Sequence, residues 1–253
     1  MIKTSTKVHG ISMIEVWYAD EPIKEDGIIN YRQARFCPKK KYTTFETLIT
    51  DLTQEEEEII AKISKNGRYE IRRAQKEDVK TVIKTAKEIT EEDIHEFVHF
   101  FTEFWASKGV IYTEGNRLEK EIKRYVEEDC FAITIALIVD KPCVYHTYIL
   151  EEKTARLYQS ASLYRVEEEI PKSLVGMANR FLHKEDMLTF KKMGIRQYDW
   201  GGAGTGKEVA SITEFKKSFG GSPAVFYDFT RANGRKAKVI DVLSALKHFG
   251  KSK

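Results

Sequence analysis

Between residues 131 and 163 the chain carries three apolar runs separated only by short polar turns, and this stretch limits the possible fold more than any other. The runs are 131–139 (FAITIALIV), 144–150 (VYHTYIL) and 155–163 (ARLYQSASL). Each has the length of a strand and is rich in β-branched and aromatic residues. Asp140-Lys141-Pro142 and Glu151-Glu152-Lys153 leave no room for a helix between them, so the runs must pair as an antiparallel meander.

The rest of the chain arranges itself around that meander. Upstream, 14–18, 28–36 and 45–50 read as strands, and Thr53 with Glu56 has the spacing of a capping box opening a helix that Asn66-Gly67 ends. The acidic run Glu55 to Glu58 suits a helix N-terminus, where the dipole favours negative charge. A strand at 79–83, an amphipathic helix at 91–108 and a second helix at 117–128 lead into the meander. After it, Pro171 starts a helix that stops at Gly194. A short strand at 195–200, a helix near 212–218 and a strand at 224–229 complete the order. This layering predicts an α/β protein with a mixed sheet, not the regular alternation of a doubly wound nucleotide fold. The expected division is a partial β-rich subdomain over 1–67 and a catalytic domain over 68–253, ending in a basic helix.

Composition excludes several classes. The chain has 253 residues with 42 basic against 39 acidic, so a net charge of +3 gives little reason to expect nucleic acid as a partner. The nine-residue run 131–139 is far short of the roughly 20 apolar residues of a membrane-spanning helix. MIKTSTKVHG has no apolar segment behind its lysine, unlike a secretory signal, and Cys37, Cys130 and Cys143 lack metal-site spacing. A cytoplasmic protein is the expectation, with the latter two cysteines packed as small hydrophobes.

Two motifs promise chemistry by spacing. Gly201 to Lys207 (GGAGTGK) is most of a P-loop, but Glu208 stands where a Ser or Thr would hold Mg²⁺. A carboxylate there would face a polyphosphate, so ATP is not the expected ligand. His95-Glu96-Phe97-Val98-His99 matches H-E-x-x-H, the two-histidine turn of zinc hydrolases. Ile94, Phe97, Val98, Phe101, Phe104 and Trp105 form the helix's apolar arc, and the histidines lie at its edge. Positions 102 and 105 are Thr and Trp, so the extended motif fails; Glu119 or Glu121 would be a distant third ligand, but both sit in a charge-rich helix, and no metal is expected; a zinc hydrolase stays as the alternative of another class.

Tyr198-Asp199-Trp200-Gly201-Gly202, followed by Phe215-Lys216-Lys217-Ser218-Phe219-Gly220-Gly221, resembles the GNAT-type acyltransferases. The likeness is to their Fem-like branch, which includes peptidoglycan interpeptide-bridge aminoacyltransferases and single-domain acyl-CoA acyltransferases. Residues 45–74 are similar to that branch's link between its two halves. The Arg/Gln-x-x-Gly-x-Gly/Ala pyrophosphate loop is absent after 155–163, and the chain is too short for the two domains and helical arm of the bridge-forming enzymes.

The resemblance implies that strands 155–163 and 195–200 splay apart, so that the amide arm of a pantetheine donor lies along unpaired backbone. It implies acyl-CoA or acetyl-CoA as donor and a small-molecule amine, such as an amino sugar or a cell-envelope precursor, as acceptor. A tRNA-dependent aminoacyltransferase of the same fold is the alternative, with tRNA as partner. Donor phosphates would lie near Lys172, Ser173 and Gly176 at a helix N-terminus, with Arg165 adding charge and Lys207 nearby. Ser160 and Ser162 share one strand face and would meet the acyl group. Asp199 leads the candidates for the base that deprotonates the amine, with Glu208 and His146 behind it. Asp199 would equally serve to hold the 201–204 turn. Tyr198 or Tyr164 would protonate the leaving thiolate.

Overall fold

The computed structural model describes residues 1–39, 41–163, 170–203 and 207–239, the side chains of 207–209 excepted. By its contacts the chain forms two units: Met1–Glu46 together with the chain from Val225 onward, and Thr47–Ala224. Residues 47–67, expected with the N-terminal subdomain, belong to the larger unit, and the C-terminal strand returns to the smaller one.

The smaller unit is built on strands. β1 (Ile2–Val8) and β2 (Ile11–Trp17) form a hairpin whose turn, His9-Gly10, has positive φ at both residues, as a tight right-twisted hairpin requires. β3 (Gly27–Ala34) runs parallel to β2, and β10 (Ser222–Asn233) antiparallel to β3. Ile14, Val16, Ile29 and Tyr31 form its core, with the Tyr31 ring stacked on Phe229 at 4.4 Å.

The larger unit holds the sheet β4-β9-β8-β7-β6-β5: β4 (Thr43–Asp51), β5 (Lys80–Thr85), β6 (Phe131–Ile138), β7 (Lys141–Glu151), β8 (Thr154–Ser162) and β9 (Gln197–Asp199). The expected meander is present as β6–β7–β8, antiparallel throughout. Two helices pack before it: α3 (Glu91–Ala106), opened by a reciprocal Thr90–Asp93 capping box, and α4 (Gly115–Glu127). α5 (Lys172–Lys192) is the long helix of the core, burying Val175, Ala178, Phe181, Leu182, Met187 and Phe190. α6 (Lys207–Lys217) follows the glycine turn.

Two local expectations are corrected. The segment after β4 is two helices, α1 (Glu56–Lys62) and α2 (Lys65–Lys76), so Asn66-Gly67 does not end a helix but sits in the first turn of one. Ser64 caps it, accepting from the Gly67 N–H at 3.1 Å, and a Cβ on Gly67 would lie 2.8 Å from the Ile63 side chain. Thr53 does not cap α1; it turns back to Asp51, and Glu58 reaches the Glu55 N–H instead. No helix among the described residues is long and apolar enough to cross a membrane.

Candidate active site

The pairing of β8 with β9 is short. It joins Thr154, Ala155 and Arg156 to Gln197, Tyr198 and Asp199, in parallel, and then stops. β8 continues through Ser162 with β7 on one side. The chain leaving β9 turns the other way: the Trp200 N–H bonds the Leu48 carbonyl of β4 and its indole Nε1 donates to Thr50 Oγ1, both at 3.0 Å. Beyond Arg156 no further pairing of β8 with β9 follows among the described residues.

Gly201 makes the fork possible. Its φ is +67°, and a Cβ there would lie 2.0 Å from the Leu157 carbonyl oxygen, so only glycine lets the two chains part at this point. The turn is pinned by Asp199 and Thr47. Asp199 accepts from the Gly201 N–H at 2.8 Å and from Thr47 Oγ1 at 2.6 Å, and Thr47 Oγ1 accepts from the Gly202 N–H at 3.1 Å.

The fork opens into a cavity of about 520 Å³. Its floor is β8 from Leu157 through Ser160, with Ser162, and Trp200-Gly201; its walls come from α3, α5 and α6. The α3 wall is aromatic. Phe101, Phe104 and Trp105 continue the apolar arc read from the sequence, but at this end of the helix the arc lines space instead of core. Trp105 Nε1 is buried there without a hydrogen-bond partner. α6 contributes Phe215 and Lys216, and α5 contributes Asn179 and His183.

Lys216 is the charged group closest in character to a reacting centre. Its Nζ donates to the Gly202 carbonyl at 2.6 Å. Burial pushes its pKa down from 10.5 to about 8; the Asp199 charge resists that fall, and Arg156 adds to it. At neutral pH it is still largely a cation, and it is poised to lose that charge just above.

Beneath the cavity lies a buried polar chain. His146, Tyr148 (β7), Tyr198 (β9) and His183, Asp186 (α5) are each 2% exposed or less. Asp186 Oδ2 accepts from Tyr148 OH at 2.6 Å and Thr134 Oγ1 at 3.1 Å, and meets His146 Nδ1 at 2.9 Å. Tyr148 OH meets Tyr198 OH at 2.7 Å, and Tyr198 OH meets His183 Nδ1 at 2.7 Å. His146 Nε2 meets Asn179 Oδ1 at 2.8 Å. The two imidazoles stack with centroids 4.0 Å apart. Burial holds both tyrosines well above 10 and His183 well below its ordinary 6.5, the latter helped by the neighbouring His146, Lys216 and Arg180.

The residues singled out from sequence fall into four sets. Ser160 and Ser162 line the cavity. His146 and Tyr198 lie in the buried chain and do not line it. Asp199 holds the turn, as its second reading had it, and is not part of the cavity lining. Lys172 and Ser173 are exposed at the start of α5, where Gly176 has open space beside it. Arg165 and Tyr164, and the side chains of Lys207 and Glu208, lie outside the described residues. His95 and His99 are exposed, His99 beside Glu103 at 3.4 Å; the His/Asp cluster of metal-ligating type among the described residues is His146, His183 and Asp186. Sequence reading missed His183, Asp186, Asn179 and Lys216. The signal for the α5 residues was present: polar side chains at positions 179, 183 and 186, in step with the apolar positions 175, 178, 182 and 190 of the same helix.

A scan against protein-family models and a search of curated proteins both find no match. Solved structures do match. FemX aligns with a TM-score of 0.57 at 12% identity, over 72% of this chain and 61% of FemX, so the chain spans less than two thirds of that protein's length. The C-terminal domain of a putative lysylphosphatidylglycerol synthetase from Agrobacterium fabrum aligns with a TM-score of 0.51 at 12% identity, over 84% of this chain and 70% of that one. L-PGS from Bacillus licheniformis aligns with a TM-score of 0.50 at 12% identity, over 96% and 84%. At such identities the likeness is one of fold: the chain has the GNAT-like fold of the Fem type.

Proposed function

We propose that this protein is an acyltransferase that moves an acyl group from a CoA-type thioester to an amine. The observation that carries this reading is the fork between β8 and β9. An amide-rich donor arm would lie along the β8 main chain at Ser160 to Ser162, past the end of the β8–β9 pairing, and the cavity beyond it holds the acceptor. The walls fit the two ends of the reaction. Ser160 and Ser162 stand along the donor strand, and the aromatic α3 face excludes water from the acceptor side. Attack on the carbonyl puts negative charge on its oxygen, and the Lys216 cation on the lining is a group that can stabilise it.

The donor's phosphates have a matching end of the fold. α1 and α3 each carry three acidic residues in the first turn; α5 carries none, and Pro171 gives it no side-chain cap. The N-terminal end of this helix, with Lys172 and Ser173, suits an anion. An amino sugar or a cell-envelope precursor is the proposed acceptor, as the sequence resemblance implies, and the cytoplasm is the proposed compartment, as the cysteine usage suggests. A second reading, an aminoacyl-tRNA donor, is favoured by the fold likeness to FemX and to a lysylphosphatidylglycerol synthetase.

Thermal unfolding and calorimetry with acetyl-CoA, longer acyl-CoAs, an aminoacylated RNA minihelix and ATP, side by side, separate these readings. A ligand at 100 times its Kd adds about 2.7 kcal/mol to native stability. The expected result is stabilisation by CoA esters. Stabilisation by the minihelix alone moves the assignment to tRNA, and stabilisation by ATP alone removes acyl transfer altogether.

A further inference from the structure

The proton directions in the buried chain below the cavity can be worked out one hydroxyl at a time. Tyr148 has one proton and gives it to the carboxylate oxygen Asp186 Oδ2, 2.6 Å away. Its oxygen is then the acceptor in the 2.7 Å contact with Tyr198, so Tyr198 must be the donor there. With its own proton spent on Tyr148, Tyr198 is the acceptor in the 2.7 Å contact with His183, so His183 Nδ1 must carry a proton. An imidazole that stays neutral then has an unprotonated Nε2. That nitrogen has no hydrogen-bond partner among the described residues, and His183 lines the cavity.

We infer that His183 is the base that takes the proton of the attacking amine, held in its Nδ1-protonated tautomer by a hydrogen-bond chain running from Asp186 through Tyr148 and Tyr198. The inference rests on the acyl-transfer reading for the identity of the proton donor, but the tautomer does not. The step balances as follows. The amine nitrogen forms a bond to the thioester carbon, whose C=O π pair moves to oxygen. The nitrogen's proton passes to His183 Nε2. On collapse the C–S bond breaks, its pair leaves on sulfur, and the imidazolium returns the proton to the thiolate. His183 is the catalytic residue; Tyr198, Tyr148 and Asp186 are positioning residues that never meet the substrate. Burial and the neighbouring cationic groups keep the ring neutral and ready to accept. Its stack on His146 at 4.0 Å, its tilted contact with Trp200 and its edge contact with Phe219 fix the plane of the ring.

The metal alternative for His146, His183 and Asp186 is the weaker use of the same atoms. Asp186 Oδ2 already has three hydrogen-bond partners, and both nitrogens of His146 are engaged, so an ion would have to displace a saturated set.

Tyr148→Phe is the decisive variant, because Tyr148 does not line the cavity and the change removes only an oxygen. Without that acceptor, Tyr198 turns its proton to His183 Nδ1, and the imidazole proton moves to Nε2, where it blocks the base. Side-chain ¹⁵N NMR of the unliganded protein reads this directly. The expected result is a His183 protonated at Nδ1 and bare at Nε2 in the unaltered chain, and the reverse in Tyr148→Phe. In the active enzyme, Tyr148→Phe lowers kcat about 100-fold or more with the acceptor KM little changed, and added imidazole restores part of the rate of His183→Ala. An Nε2-protonated His183 in the unaltered chain overturns the inference whether or not any variant folds. The expected tautomer with full activity in Tyr148→Phe overturns it too. The expected tautomer in a protein that turns over no acyl donor overturns the acyl-transfer reading and leaves the tautomer standing.

Discussion

Two pairs of histidines in the larger unit show opposite relations between spacing and chemistry. His95 and His99 sit one turn apart on α3 in a metal-binding spacing, yet both face solvent and His99 meets nothing stronger than Glu103. His146 and His183 lie on different elements with no motif between them, yet their rings stack in the core, both nitrogens of His146 are engaged, and His183 Nδ1 meets Tyr198. A spacing on one helix guarantees only that two side chains share a face. A site needs that face to be buried, and it needs the buried polar groups to satisfy one another.

That contrast breaks most sharply by mutation. His183→Ala is expected to lower kcat by about 10²- to 10⁴-fold, while the double change His95→Ala, His99→Ala leaves turnover and bound metal unchanged. Steady-state kinetics and metal analysis of purified protein check both halves, and a zinc-dependent loss in the surface pair would reverse the comparison. Gly201→Ala tests the fork that brings His183 to a cavity. The left-handed φ and the clash with the Leu157 carbonyl together are expected to cost about 3 kcal/mol or more, visible as a lower thermal midpoint with loss of donor binding.

A third test separates Lys216 from His183. Under the proposed mechanism a cationic Lys216 stabilises the oxyanion, so kcat/KM for the donor is expected to fall as pH rises through about 8. Lys216→Met lowers the rate and removes that alkaline limb. Stability moves with the opposite sign. The folded state gives up the Lys216 proton near 8 and the unfolded chain keeps it to 10.5, so between those values the unfolded state binds more protons and stability rises with pH. Chemical denaturation of Lys216→Met at pH 8 and pH 10 should show that rise reduced. The smallest effect belongs to the surface: Glu103→Ala, which frees His99, is expected to change stability by no more than about 0.5 kcal/mol.

What the sequence carried depended on how each element announces itself. The β6–β7–β8 meander was legible because its turns are too short to permit anything else. α3 and α5 were legible from periodicity and from Gly109 and Gly194 beyond their ends. β1 was not read: its alternation runs Ile2, Thr4, Thr6 against Lys3, Ser5, Lys7, and a buried threonine looks polar in sequence. Asn66-Gly67 misled because glycine's lack of a side chain serves close packing as well as helix ends. At the site, the glycine-rich strand end pointed to the fork, and Ser160 and Ser162 to its floor. His183 and Asp186 stayed hidden because an isolated polar residue on an apolar helix face has many uses, and only the partners on β7 and β9 say which one applies. Lys216 stayed hidden for a related reason: its charge is unusual only once the helix is docked.

The divergence of β8 from β9 is tested most directly by amide hydrogen exchange along β8, residue by residue, with and without an acyl-CoA. In the free protein, the amides on the β9 side should exchange slowly over Thr154–Arg156, where the strands pair, and quickly from Ser160 to Ser162, where they have parted; donor should slow the second set and leave the first unchanged. Equal protection along the whole strand, or no response of 160–162 to any acyl donor, would mean that no slot exists there for a thioester to occupy.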